Sequence, residues 1–181
     1  EVVWFVNLQD VISIGRLFTG GRYHPERIVA LTGSEVIKPQ YYRMLSGSSV
    51  ENIIKDNINP GKARYISGNV LTGMKISEKG FLGYYDSQIT VIPEGDYFEL
   101  LGWAAPGLRK YSFHRAFLSN LLPSRSYNID TNLHGGERAF VVTGKYEKVL
   151  PMDIYPMQLF KAILAEDIEL MENLGIYEIA E

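Results

Sequence analysis

The sequence predicts a mixed α+β chain, and three features carry that prediction. Residues 27–54, RIVALTGSEVIKPQYYRMLSGSSVENII, read as strand, tight turn, strand and then helix. From Phe81 onward the pattern turns β-rich, with short apolar runs broken by glycine and proline. The segments 157–163 and 168–174 return to helical spacing. With 181 residues the chain suffices for one large domain or two small ones, burying roughly 70% of its unfolded surface. Its 46% apolar and 22% charged residues are ordinary for a globular protein.

Taken in order, Val2 to Val6 is a continuous apolar run, as expected of a strand buried on both faces. Asn7 is placed to cap a helix, with Asp10 three residues on to reach back. Leu8, Val11, Ile12 and Phe18 lie near one stripe, widened by Ile14 and Leu17, and Gly20-Gly21 ends the helix. Residues 1–24 therefore read as the C-terminal part of a Rossmann-like α/β domain. A start without Met inside an apparent strand, with no signal-peptide pattern, leads us to expect a piece of a longer protein.

Residues 25–75 form the organising module. Ile28 to Leu31 is a strand that stops at Thr32-Gly33, and glycine tolerates the positive φ of a turn. Val36 and Ile37 resume the extended pattern, and Pro39, with no N–H to donate, belongs at an edge or turn. Ser48-Ser49-Val50-Glu51 has the form of a capping box, after which Val50, Ile53 and Ile54 share one helical face. The helix stops before Asn59-Pro60-Gly61. Ala63 to Leu71, ARYISGNVL, echoes IVALTGSEV, either as a repeat or, more simply, as two neighbouring strands with similar turns. A hairpin delivering a short helix is the opening half of a β-grasp module, and it requires Ile28 and Ile53 to share an interior.

Residues 76–181 read as a β-hairpin followed by helices. Gln88 to Ile92 alternates, Pro93-Glu94-Gly95-Asp96 is a turn signal, and Tyr97 to Trp103 returns as the expected partner strand. Phe113 to Leu122 reads as a short amphipathic helix stopped by Pro123, and Arg138 to Val142 as a strand. Pro156 suits a helix start, and a second helical pattern runs through Ile168, Met171 and Leu174 to Gly175.

The chemistry on offer is sparse. The absence of cysteine excludes disulfides, thiolate catalysis and Cys-ligated zinc or iron–sulfur centres. A net charge of −3, with Lys and Arg scattered singly, argues against nucleic acid as a partner. No apolar run approaches the ~18 residues of a membrane span. Gly68 to Gly73 has phosphate-loop spacing, but Met74 stands where a lysine must reach the phosphates, so it reads as a turn; no GxGxxG follows a strand. The histidines His24, His114 and His134 lack metal-site spacing among themselves. The most suggestive polar cluster is His134-Gly135-Gly136-Glu137-Arg138. Two glycines free backbone N–H groups to face an anion, and Arg138 can clamp a carboxylate or phosphate. Its plainer reading is a glycine loop closing onto a strand, with an Arg–Glu surface pair. Tyr is abundant at 12 residues, with adjacent pairs Tyr41-Tyr42 and Tyr84-Tyr85; one of each pair on a strand packs inward and the other faces solvent or a partner. Trp103, near a turn, joins the exposed tyrosines as a candidate interaction residue; simple aromatic packing explains the same residues.

The segments LTGSEVIKPQYY and GSSVENII resemble the soluble-ligand-binding β-grasp domain. NLQDVISIGRLF, ISGNVLTG, LGYYDSQITV, LLGWAAPG and NLHGGERAFVVTGKYEKVLPMDIYP further resemble the A-subunit family of Na⁺-translocating NADH:quinone oxidoreductases. That resemblance implies a peripheral subunit of a sodium-pumping respiratory complex on the cytoplasmic side of the bacterial inner membrane. Its implied role is in quinone association and assembly. The implied partners are the other subunits of the complex and quinone. No cofactor is expected in this chain, the flavins and iron centres being carried by partner subunits. This chain alone is expected to be inactive. Related β-grasp subunits of complex I and of Rnf-type complexes carry cysteine clusters after the module, which residues 110–181 lack. The alternative is a non-redox β-grasp ligand-binding or assembly module of another membrane complex, which explains residues 25–75 and leaves the remainder without a role.

Overall fold

The structure, a computed structural model, describes residues 4–102, 104–112, 115–122, 126–134 and 139–179. It divides into two compact units, Glu1–Gly135 and Gly136–Glu181. The first begins with helix α1 (Leu8–Gly20) and then builds a five-stranded mixed sheet. Its strands are β1 (Glu26–Thr32), β2 (Gln40–Leu45), β3 (Ala63–Ser67), β4 (Met74–Ile76) and β5 (Gln88–Pro93), in the order β2-β1-β5-β3-β4. Helix α2 (Glu51–Ile54) connects the β1–β2 hairpin to β3, as the β-grasp reading requires. β5 pairs parallel to β1 and antiparallel to β3, which makes it the centre of the sheet.

Alternation in β1 decides which residues form the core. Arg27, Val29 and Leu31 point inward while Glu26 and Ile28 face out. Leu31, Val29, Ile89 and Val91 meet Val50, Ile54, Val36, Met44 and Leu82 in one buried cluster. Ile28 is thus not an interior residue: it is 50% exposed, and the inward positions fall one residue to either side of it. Ile53 does pack against the cluster. Tyr42 turns to the core while Tyr41 stays exposed, the division expected for adjacent aromatics on a strand. Tyr84 and Tyr85 lie in a turn instead, both exposed and in edge contact at 5.1 Å.

Helix α1 forms where expected and ends at Gly21, whose N–H donates to the Leu17 carbonyl. Asp10 does not reach back to the cap; its carboxylate pairs with the buried Arg27, whose guanidinium also lies 4.7 Å from the centre of the Tyr84 ring. Beside it the Gln9 carboxamide donates to Ile28 O and accepts from Ile28 N–H, both at 2.9 Å. β5 pairs with β1 only from Ala30 onward, so Gln9 satisfies backbone groups that the sheet leaves open. Trp4 to Val6, expected as a strand, carries none, and Trp4 and Phe5 are exposed; Val2 and Val3 lie outside the described residues. The capping box at Ser48–Glu51 is also replaced. Ser48 donates to the Leu45 carbonyl, Ser49 accepts from Glu51 N–H, and Val50 N–H is held by the Gly80 carbonyl.

The predicted C-terminal hairpin does not form. Residues 97–102 have no strand, and the physical reason is the position of β5: both its edges are already taken by β1 and β3, so the chain leaving Pro93 has no edge to return to. β5, assigned from sequence to the segment after residue 75, is hydrogen-bonded in the middle of the sheet that begins at residue 26. The expected helix at 113–122 is reduced to one 3-10 turn, Leu118–Leu121, with Phe113 and His114 outside the described residues.

The exit from β5 is fixed electrostatically. Glu94 accepts from Arg64 through both carboxylate oxygens, Nε at 3.0 Å and Nη2 at 2.5 Å, with Lys75 Nζ at 3.2 Å. The Arg64 guanidinium is the main reason the Glu94 carboxyl falls from its ordinary 4.5 to about 2; partial burial opposes this and Lys75 assists. A depressed carboxylate contributes stability above its unfolded value and loses it as pH falls through the folded one. Acid from about pH 4.5 to 2 should therefore remove about 1–2 kcal/mol, allowing for solvent screening. Urea midpoints measured across that window check this: Glu94→Gln should flatten the pH dependence there, and parallel losses in both proteins would contradict it.

The second unit carries helices α3 (Pro156–Leu164) and α4 (Ile168–Asn173). Pro156 starts α3, as its fixed φ and missing N–H suit, and Asp167 caps α4 by accepting from Leu170 N–H at 3.0 Å. Met157, Leu159 and Ala162 are buried, and Phe140, Tyr146 and Phe160 form a ring cluster with centroids 5.5–6.2 Å apart. The strand expected at 138–142 is absent over 139–142; Arg138 lies outside the described residues.

Candidate functional site

Where the chain leaves β5 it enters an irregular segment that encloses a cavity of about 410 Å³. Two stretches, 97–112 and 126–134, supply most of its wall, and hydrogen bonds at the end of β5 hold them together. Gly95 N–H donates to Thr131 Oγ1 at 2.8 Å, Thr131 N–H to the Pro93 carbonyl at 3.3 Å, and Asn132 Nδ2 to the Tyr97 carbonyl at 2.8 Å. The sheet thereby positions the cavity, since each of these ties is anchored at or just beyond the end of β5.

Asp130 is the polar centre of the wall. It accepts from Tyr97 OH at 2.8 Å and from Asn132 N–H at 3.0 Å, and His134 Nε2 lies 2.9 Å from its Oδ1. Burial pushes the Asp130 carboxyl up, but the Tyr97, Asn132 and His134 hydrogen bonds together hold it below the usual carboxylate range. Tyr97 is raised in return, first by its hydrogen bond to Asp130 and then by burial. The His134 ring meets Tyr97 edge-on at 6.1 Å, and His134 itself sits at φ 50°, a left-handed conformation that a non-glycine residue seldom adopts.

Across the wall, Lys110 is fully engaged. Its ammonium binds Glu99 Oε2 at 2.5 Å and the Gly102 carbonyl at 2.7 Å, and lies 5.6 Å from the Phe117 ring centre. Buried Ser119 donates to the Lys110 carbonyl at 2.5 Å. Tyr111 and Tyr127 pack edge to face at 5.6 Å. Arg109 is different: it lines the cavity, is exposed, and makes no ion pair or hydrogen bond among the described residues.

Of the residues singled out from sequence, His134 lies in this wall, where its imidazole meets a carboxylate. Trp103, Gly135, Gly136, Glu137 and Arg138 lie outside the described residues. Sequence reasoning missed Tyr97, Asp130, Arg109, Tyr111 and Tyr127. The Asp130–His134 spacing of four was visible, but the Tyr97–Asp130 contact joins residues 33 apart and leaves no local signal. Among the described residues no group of three or more His, Asp or Glu side chains is placed to hold a metal ion, and no helix is long and apolar enough to cross a membrane.

Residues 28–78 match the family described as the NQRA C-terminal domain. Over its whole length the chain is 42% identical to the A-subunit of the Na(+)-translocating NADH-quinone reductase of Hahella chejuensis, covering 41% of that protein. The protein of the same name from Vibrio anguillarum is 41% identical over all of this chain and 41% of its own length. That from Shewanella denitrificans is 42% identical over 99% of this chain and 40% of its own. The chain thus spans about two fifths of the length of these relatives.

Proposed function

We propose that this chain, similar over residues 28–78 to the NQRA C-terminal domain and over its whole length to A-subunits of Na(+)-translocating NADH-quinone reductases, serves a sodium-pumping NADH-quinone reductase as a docking and quinone-associating element. In this reading the flavins and iron centres that carry electrons sit in partner subunits. The chain lies peripherally on the cytoplasmic side of the bacterial membrane, held there by those partners, and by itself does not turn over NADH.

The observation that carries the reading is the extent of the match: it runs through α1, the sheet and the cavity segment alike, and does not stop at the β-grasp module. The surface of α1 supports it. Leu8, Val11, Ile12 and Phe18 are all exposed and the helix buries no residue, a pattern of unpartnered apolar surface that marks interaction faces. A tagged version of this chain, incubated with detergent-solubilised membranes containing the pump, should retain the pump's other subunits. It should be colourless and leave NADH unoxidised. Retention of none of those subunits, or flavin absorbance that survives dialysis, would contradict the proposal.

A further inference from the structure

We infer that the loop beyond β5, residues 98–102, seats its apolar side chains in the headgroup layer of an anionic lipid surface. This goes beyond the docking role, since it calls on none of the pump's other subunits. Single exposed leucines are ordinary on a protein surface, but here large apolar side chains cluster. In the run Phe98-Glu99-Leu100-Leu101, Phe98 is fully exposed, Leu100 is 91% exposed, and Leu101 is exposed beside it. Leu101 carries the turn at φ 51°, a left-handed conformation that leucine seldom adopts. Strain of this kind clusters at binding sites.

The polar groups beneath the tip favour lipid. Glu99, the one acid of the run, is drawn back to Lys110 Nζ at 2.5 Å. The same ammonium holds the Gly102 carbonyl at 2.7 Å, and the Leu101 carbonyl accepts from Ala104 N–H at 2.9 Å. Groups that lose water on entering an apolar layer must already be bonded within the protein, and Glu99 and these two carbonyls are. Charge points the same way. Over residues 97–122 Arg109, Lys110 and Arg115 stand against Glu99 alone, while the whole chain is net −3. With Lys110 engaged, Arg109 and Arg115 are left as exposed cations suited to lipid phosphates. Leu118 N–H donates to the Pro106 carbonyl at 3.0 Å and Ser119 to the Lys110 carbonyl at 2.5 Å, which ties this basic stretch to the base of the loop. Apolar side chains flanked by cations bind anionic membranes at their interface. A protein partner would need a pocket shaped to the protruding Phe98; a fluid surface needs none.

The test is co-sedimentation of this chain with protein-free vesicles, either phosphatidylethanolamine with phosphatidylglycerol or phosphatidylcholine alone. The chain should sediment with the anionic vesicles, and more weakly with phosphatidylcholine. Phe98→Ser with Leu100→Ser should lower that binding at least about tenfold. Leu71→Ser, at an equally exposed leucine on another turn, should leave it unchanged. Arg109→Gln and Arg115→Gln should each cost about fivefold on anionic vesicles and little on phosphatidylcholine. The loop side chains are exposed, so the double variant should keep the parental ¹H–¹⁵N spectrum outside the loop and still capture pump subunits, which separates this contact from the docking role. No sedimentation with either vesicle, binding indifferent to Phe98 and Leu100, an equal loss in Leu71→Ser, or a double variant that loses pump capture while vesicle binding persists would each overturn the inference.

Discussion

Gly33→Ala should be the most damaging single substitution in the sheet, costing more than about 4 kcal/mol. Gly33 sits at φ +116°, where a side chain is strained by about 1–3 kcal/mol before any contact is considered. An added Cβ would stand 2.0 Å from Val91 O and 2.6 Å from Val91 N, both backbone atoms of the central strand. Neither can move aside cheaply, because Val91 is paired to Tyr65 across β3 and its carbonyl accepts from Glu35 N–H. Relief requires either the β1 turn or β5 to shift, and β5 holds both halves of the sheet. A domain with total stability of roughly 5–15 kcal/mol would be left marginal or unfolded. Gly15→Ala provides the control: it stands in open space on α1 and should stabilise by under about 1 kcal/mol. Chemical denaturation of the two variants against the parent measures both effects, and a Gly33→Ala protein within about 1 kcal/mol of the parent would show that the turn does not press on β5 as described.

Gly95→Ala should have an equally large effect of another kind. There the added Cβ would fall 2.1 Å from the Asn132 backbone nitrogen and 2.5 Å from its Cα. The contact lies outside the sheet, between the exit of β5 and the stretch that carries Asp130 and His134. The strands have no need to yield; residues 126–134 do, and with them the Gly95–Thr131 hydrogen bond and the Asn132 tie to Tyr97. The expected outcome is a sheet of nearly parental stability with the cavity wall displaced, so that amide exchange quickens over residues 126–134 while protection of β1, β3 and β5 persists. Loss of both together would mean that the cavity segment and the sheet form one cooperative piece.

These two glycines also show how far the sequence could be read. Thr32-Gly33 was legible as a turn because glycine after an apolar run has few other uses. That the turn lies across the distant Val91 was not, since nothing local announces a long-range backbone contact. The same limit governs Ile28. The unbroken apolar run from Ile28 to Leu31 leaves the phase of a strand undetermined; in the structure Val29 and Leu31 take the buried side with Arg27, which meets Asp10 and Tyr84. At Pro93–Asp96 the composition signals a turn, but Pro93 still belongs to β5, residues 94–96 form no turn, and hairpin formation depends on a free edge that β5 lacks. The cavity was the least legible feature. His134 alone among its residues drew notice, for the glycines beside it, whereas its described contacts are to Asp130 and Tyr97.

The most direct test of the central claim, that this chain is a docking element braced by its sheet while electron carriers lie elsewhere, is hydrogen exchange of the chain free and captured by the pump. Capture should slow exchange strongly along Leu8–Gly20, whose apolar side chains are unburied in isolation, and leave β1, β3 and β5 as protected as before. Unchanged exchange over α1 on capture, with protection appearing only within the sheet, would contradict it.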